Sequence, residues 1–538
     1  MITSVRLGAP DYPILGTRRK IALGFLCTTL IITSLDNTIL NIALPTLVRV
    51  LHATNTQLEW IVDAYAVASA GLLIFAGSLS DRVGHKRLLV SGSIFFTLGS
   101  AVSAFSGSVY YLVLGRAIMG VGAACIMPAT LSLITTLYRR HEERALAIGI
   151  WSGSEGLGIA AGPIIGGWLL GHYWWGSVFM INIPIALIGM VGVIFLIPST
   201  HEVVRSRGDY GGVALSILGM SSLLWGIIDA PVHGWTSIQV VGSVLAGVLL
   251  LVAFVLWEHR SKYPLLKLGM FRNRRFSVAM VSATLIIFVL MGLLFVITQY
   301  FQFSLGYSPL SAGLRVLPIA LILGIAAPAS SILDRLVGSK IVVAGSMLII
   351  AVGLFVISTI SMTSSYGSEL PGLLLVGFGA GLAFPPVTES VMGSLDLPQT
   401  GIGSATNSSA LQFGGALGVA VIGTVLASRY QTHLTQLIGA YPVPPKVLGI
   451  IKGSLGGALA VAHVAGGKIG NLLAIGAKRS FVSGMDLGLK VGGVIAVVSG
   501  MIALVFLPAR RKQIEPKSGV SHDRRASDRT HDRTPVGS

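Results

Sequence analysis

Asp36 sits in Leu35-Asp-Asn-Thr-Ile-Leu-Asn-Ile-Ala-Leu-Pro45, inside the first long apolar run of the chain. A carboxylate in hydrocarbon costs at least about 2.5 to 3.5 kcal/mol, so an acid there calls for a function, and proton carriage is the chemistry that suits it. At a rise of 1.5 Å per residue, Asp36 lies about 22 Å along its helix, in the outer half of a bilayer. Asp63 on the second run and Arg116 on the fourth fall at similar depth. A nearby guanidinium favours the charged carboxylate and an apolar wall the neutral one, so the spacing of Asp36 and Arg116 would set when the proton is held. A permanent structural ion pair between the two is the alternative. Glu155 lies about 16 Å into the fifth run, close to the bilayer midplane where transporters place their cargo. It is a cation-selecting group, a second proton site or a hydrogen-bonding partner. Trp151 and Asn41 join it as candidate substrate-binding residues. Glu389 follows Pro385 and Pro386, which disrupt a helix, and reads as a gate contact near the cytoplasmic end. Asp229 has no assigned role.

These residues need a scaffold of a particular kind. Of 538 residues, 53% are hydrophobic and 11% charged, and the mean hydropathy is +0.81. No single soluble core holds that much apolar surface, so the chain is a polytopic membrane protein. The 67 glycines allow close helix approach in a bilayer. A net charge of +17 would suit nucleic acid, but the basic residues fall in short loops and in the tail, where topology explains them. Cys27 and Cys125 lie inside apolar runs without the spacing of a metal site or disulfide framework. The first run, about 23 residues and acid-bearing, stays as a span rather than a cleaved signal.

About fourteen runs are long enough to cross some 30 Å of hydrocarbon: 21–44, 59–80, 88–106, 109–137, 144–170, 178–198, 210–229, 237–257, 277–301, 310–333, 341–361, 370–394, 401–428 and 487–508. Most of the 38 Lys and Arg stand on the N-terminus, in every second loop and after Pro508, which places both termini in the cytoplasm. The expected organisation is a cytoplasmic N-terminus (1–20), a six-helix bundle (21–198), two inserted helices with linkers (199–276), a second six-helix bundle (277–508) and a disordered cytoplasmic tail (509–538). Within the second bundle, about 446–486 reads as an extracellular amphipathic hairpin, from apolar residues spaced by three or four. The loops Gly77-Ser-Leu-Ser-Asp81-Arg82-Val-Gly84-His-Lys86 and Asp334-Arg335-Leu-Val-Gly338-Ser-Lys340 stand eight spans apart. If the seventh and eighth spans are an insertion, these loops occupy equivalent places in two parallel repeats.

Four motifs in the first five spans resemble those of the major facilitator superfamily, and within it the fourteen-span drug:proton antiporters that export quaternary ammonium compounds and other lipophilic drugs. The first-span motif is matched by Asp36, Thr38, Asn41, Ala43, Leu44 and Pro45. The loop motif is matched by Gly77, Asp81, Arg82, Gly84 and Lys86, and the fourth-span motif by Leu112, Arg116 and Gly120. The antiporter motif is matched by Gly158, Gly162, Pro163, Gly166 and Gly167, and Trp60-Ile-Val-Asp63-Ala-Tyr65 is typical of the fourteen-span branch. The resemblance implies an all-α major facilitator fold of two six-helix bundles plus two extra central helices, fourteen in all. It implies proton-coupled efflux by alternating access, with Asp36, Asp63 and Arg116 coupling the proton. The loop motif would serve as a cytoplasmic latch and the span-five glycines as a close-packing face. Its partners are lipophilic, cationic small molecules, protons and the bilayer; it is a monomer of the bacterial cytoplasmic membrane that uses no cofactor. No phosphate-binding Gly-x-x-x-x-Gly-Lys-Ser/Thr run and no nucleophile constellation occur, so neither ATP drive nor an enzyme is indicated. An exporter or flippase of an amphipathic metabolite or lipid, and a non-transporting membrane sensor, are the other readings.

Overall fold

The computed structural model describes residues 16–138, 140–197, 209–261, 264–266, 268–394, 400–438 and 443–508. The expected tail (509–538), most of the N-terminus (1–20) and the linker at 199–208 lie outside the described residues. Within them the chain is helical, in the order α1 (Gly16–Leu51), α2 (Asn55–Val83), α3 (His85–Ala104), α4 (Val109–Leu137), α5 (His141–His172), α6 (Ser177–Met180), α7 (Asn182–Leu196), α8 (Tyr210–His233) and α9 (Ile238–Arg260). There follow α10 (Arg274–Gln299), α11 (Pro309–Val337), α12 (Ser339–Ser358), α13 (Tyr366–Met392), α14 (Thr400–Ile438), α15 (Pro445–Gly453), α16 (Leu455–Ala465) and α17 (Gly467–Phe506).

The packing repeats. In the first half α3 lies on α4, α2 on α4, and α1 on α5 and α7. In the second half α12 lies on α13, α11 on α13, and α10 on α14 and α17. Substituting α10–α14 and α17 for α1–α5 and α7 reproduces the set, which is the signature of two six-helix bundles built alike. The halves meet through two exchanged pairs, α2 with α14 and α5 with α11. The inserted α8 and α9 pair with each other, and α8 leans on α2 and α14; the extra helices are central in the sequence but flank the bundle.

Twelve helices among the described residues are long and apolar enough to cross a membrane. The expected count of fourteen is not reached on that measure, because α2 and α5 are outside the twelve although they have 29 and 32 residues. The spans expected at 401–428 and 487–508 are parts of longer helices. The 39 residues of α14 and 40 of α17 extend to about 60 Å, twice the hydrocarbon thickness. The segment expected as a hairpin therefore consists of α15, α16 and the first part of α17, which continues unbroken into the final apolar run. Helix α13 likewise runs through Pro385 and Pro386; freed backbone groups in a packed bundle can be satisfied by neighbours.

Local chemistry sets the helix ends. Thr54 accepts a hydrogen bond from the Gln57 amide at 3.3 Å while the Gln57 side chain accepts from the Thr54 amide at 3.0 Å, a capping box that starts α2. Gly84 joins α2 to α3 at φ 91°, ψ 135°, and Gly338 joins α11 to α12 at φ 86°, ψ 150°. The two loops that look alike in sequence thus turn on the same backbone conformation, one that side chains with a Cβ rarely adopt.

Replacing Gly84 by alanine is expected to destabilise the protein by about 1 to 3 kcal/mol, the cost of a strained backbone position. Gly149→Ala, where an added methyl meets nothing within 4 Å, should not. Thermal unfolding of both variants in detergent checks the contrast.

Candidate functional site

The site is built around α1. The side chain of Asp36 is fully buried, and one carboxylate oxygen, Oδ2, meets Nη1 of Arg116 on α4, itself 1% exposed. The other, Oδ1, accepts from Nδ2 of Asn182 at 3.0 Å, and that amide also reaches Ser100 Oγ at 3.4 Å. Arg116 donates from Nε to the Ile61 carbonyl at 3.1 Å, and its guanidinium stands 4.5 Å from the ring centre of Tyr65. The pair is therefore enclosed on three sides by α2, α4 and α7. Removing two ions from water costs several kcal/mol each, and only good geometry with further hydrogen bonds offsets it. Asn182, Ile61 and Tyr65 supply that shell.

What lets α1 lie here is the glycine face of α5. A methyl on Gly158 would stand 2.8 Å from the Ile31 carbonyl, and one on Gly162 would stand 3.0 Å from the Leu35 carbonyl and press on Thr38. Gly166 meets Ile39 in the same way. The glycines at four-residue spacing thus seat the stretch of α1 that carries Asp36. Gly167 faces the other way, where a methyl would be 2.5 Å from Cα of Leu310 on α11, and Gly313 of α11 abuts the Pro163 carbonyl. The motif therefore serves the contact with α1 and the contact between the halves.

Asp63 is fully buried on α2, beside Ile61 and Tyr65, yet both its carboxylate oxygens lack a hydrogen-bond partner among the described residues. The structure joins Asp36 to Arg116 but leaves Asp63 adjacent and unpaired. Asn41 is buried; Nδ2 donates to the Asn37 carbonyl at 3.1 Å and Oδ1 is unpartnered among the described residues. Glu155 is half-buried on α5 and within electrostatic reach of Tyr65, as are Asp36 and Arg116. The expected midplane acid and the expected outer proton site thus share one aromatic neighbour. Trp151 is half-buried, its indole donating to Thr130 Oγ1 at 3.2 Å.

In the loop motif, Lys86 donates to the carbonyls of Ile194 and Ile197 at 2.7 and 2.6 Å. A cation there satisfies the unpaired carbonyls that end α7. Arg82 and Gly77 are half-buried, and the side chain of Asp81 lies outside the described residues. Glu389 is exposed in the last turns of α13.

Two buried polar residues escape a reading of the sequence by motif. Asn182 opens the apolar run of α7, and the detectable signal is a lone amide at the head of that run. Glu59 lies one turn before Asp63; it is 1% exposed, and Thr424 of α14 faces its Oε2 at 3.5 Å. At that end of the bundle the halves are in contact. Gln302 donates to the Ile42 carbonyl at 2.9 Å, and Gly456 packs on Val48 and Phe303. Toward the opposite end, Gly149, Gly153 and Gly156 of α5 and Gly324 of α11 have nothing within 4 Å of an added methyl.

Replacing Asn182 by alanine removes one donor to Asp36 and is expected to destabilise by about 1 to 3 kcal/mol. Arg116→Ala strands the carboxylate and should cost more, about 3 to 5 kcal/mol. Comparable losses for the two variants in thermal unfolding would contradict this ranking.

Residues 26–419 match the family model of the Major Facilitator Superfamily. The chain is 33% identical over 489 residues to the tetracenomycin C resistance and export protein of Streptomyces glaucescens, covering 90% of this chain and 91% of the relative. It is 31% identical over 500 residues to the multidrug efflux pump LfrA of Mycolicibacterium smegmatis, covering 92% and 96%. It is also 28% identical over 477 residues to the methyl viologen resistance protein SmvA of Salmonella typhimurium, covering 88% and 96%. Among solved structures, a bacterial homologue of the human lysosomal transporter Spinster, in an inward-facing and occupied conformation, superposes with a TM-score of 0.62 over 91% of this chain and 97% of that one, at 15% identity. The repeated bundles, the buried acid of α1, the glycine face of α5 and these likenesses converge: the chain belongs to the major facilitator superfamily and is a multi-pass membrane transporter, not an enzyme.

Proposed function

We propose that the protein is a proton-driven exporter of lipophilic drugs, cationic ones in particular, in a bacterial cytoplasmic membrane. The observation that carries this is the fully buried carboxylate of Asp36, held by Arg116 and Asn182 on the helix face that the α5 glycines seat. Relatives named for tetracenomycin C export, multidrug efflux and methyl viologen resistance support the cargo class.

Protonating Asp36 removes its charge and with it most of the attraction to Arg116. The guanidinium then keeps the Ile61 carbonyl and the Tyr65 ring, while Asn182 keeps only a neutral oxygen. A proton taken from outside would thereby loosen α1 from α4 and α7, and its loss inward would restore the pair. Contact of the halves at the outer end, with open glycines toward the other, matches the inward-facing stage of such a cycle. Glu155, with Asn41 and Trp151, would face the cargo, and its carboxylate would favour cations. Lys86 on the end of α7, with Asp81, Arg82, Gly77 and Gly84, would hold the cytoplasmic side when it closes, and Glu389 would border that opening. The accompanying topology is fourteen spans with both termini cytoplasmic, working as a monomer.

Asp36→Asn keeps the side chain's shape but carries no titratable charge, and its single carbonyl oxygen can accept from only one of the two donors, Arg116 and Asn182. It is expected to lower proton-driven efflux of a cationic dye from everted vesicles by about a hundred-fold or more, the weight of one proton-transfer group, measured per folded protein because the buried Arg116 guanidinium loses its counter-charge and the unfolding temperature falls. Wild-type rates in this variant would rule the assignment out. Glu155→Gln is expected to depress efflux of methyl viologen by several-fold while sparing a neutral lipophile, as loss of one charge contact of about 1 kcal/mol implies; equal effects on both cargoes would remove Glu155 from charge selection.

A further inference from the structure

Glu59 and Asp63 stand one turn apart on α2 and leave the same helix face. They are 1% and 0% exposed. Two carboxylates one turn apart on a helix and out of water disfavour each other's charged form, and neither has a cation among the described residues. Around Glu59, α14 presents Gly423 and Thr424. A methyl on Gly423 would stand 2.6 Å from Oε1 and 2.8 Å from Cδ of Glu59, so the carboxyl is seated flat against the α14 backbone. Thr424 approaches Oε2 only at 3.5 Å and gives its better hydrogen bond, 2.9 Å, to the Ile227 carbonyl of α8.

Among the described residues, the charged groups on the other elements packed against α2 are engaged elsewhere or lie farther along: on α14, Arg429 donates to Ser483 Oγ at 3.3 Å, and His433 stands more than two turns beyond Thr424. On α4, Arg116 is held by Asp36, the Ile61 carbonyl and Tyr65. On α8, Asp229 pairs with His233 at 2.8 Å. Asp36 of α1 is taken by Arg116 and Asn182, and α3 joins α2 at the opposite end, where His85, Lys86 and Arg87 lie. An ionised Glu59 in this seam would be uncompensated among the described residues, which is unfavourable for a charge out of water.

We propose that Glu59 is a second proton-binding carboxyl of this transporter, and that its proton holds the outer seam between α2 and α14 closed. The inference rests on the proton-driven reading above and extends it to the seam. With the proton on, the carboxyl is neutral and fits against Gly423. With the proton off, the charge is relieved by parting α2 from α14 and admitting water from outside. The unprotonated transporter then opens outward, takes up its proton there and closes around it, which is the order that exchange of an outgoing drug for an incoming proton requires.

The test uses the full chain in lipid nanodiscs, with Cys27 and Cys125 replaced by alanine and spin labels at Thr56 on α2 and Thr432 on α14. The distance between labels is measured by pulsed electron spin resonance from pH 5 to pH 9. In the otherwise wild-type chain the short distance should give way to a longer one as pH rises, the open-to-closed ratio changing about ten-fold per pH unit near the midpoint, as one proton requires. Glu59→Gln should keep the wild-type distance of pH 5 at every pH. A Glu59→Gln chain that follows the wild-type profile overturns the inference. Proton-driven efflux by wild type together with a pH-blind seam sinks the role of Glu59 alone, whereas absence of proton-driven efflux from wild type removes the reading beneath it.

Discussion

The ion pair between Asp36 and Arg116 is the constraint on which the first bundle is arranged. Two opposite charges without water are tolerated only when each remaining lone pair and N–H finds a partner. Here those partners come from α2, through the Ile61 carbonyl and the Tyr65 ring, and from α7, through Asn182. Three helices must therefore keep their register against α1. Moving any of them by a turn would leave a bare charge in the bundle, so the pair specifies a unique packing.

Close approach is the second requirement. Hydrophobicity does not hold helices together inside a bilayer, so contact depends on small residues that let backbones meet. The α5 glycines do this twice, toward α1 with Gly158, Gly162 and Gly166 and toward α11 with Gly167. One helix thus links the surroundings of the buried acid to the seam between the halves. On the opposite seam, Gly423 plays the corresponding part against Glu59. Both seams are built on glycine, from both helices between α5 and α11 and from α14 against α2, which gives smooth surfaces with few interdigitated side chains.

Much of this was legible beforehand because it is encoded over short stretches. Asp36 stands out against its apolar run, the glycines of α5 recur every four residues, and the like turns at Gly84 and Gly338 share a sequence pattern and a positive φ. Apolarity alone was less reliable. Helices α14 and α17 are longer than the runs that marked them, because a helix continues past the membrane wherever its backbone bonds do. Asn182 and Glu59 were missed since a single polar residue at the edge of an apolar run is ambiguous until its neighbours are known.

By itself the sequence determined a polytopic helical protein with an acid buried in its first span, two repeated halves and a glycine-faced fifth span, all properties of composition and periodicity along one helix. Only the tertiary structure decided which groups share the buried charge and which acids have none. Asp36 and Asn182 are 146 residues apart, and Glu59 and Thr424 are 365 apart. Such contacts depend on how whole helices and whole halves pack, and no local pattern records that Asp36 is paired while Asp63, with both oxygens unpartnered among the described residues, is not.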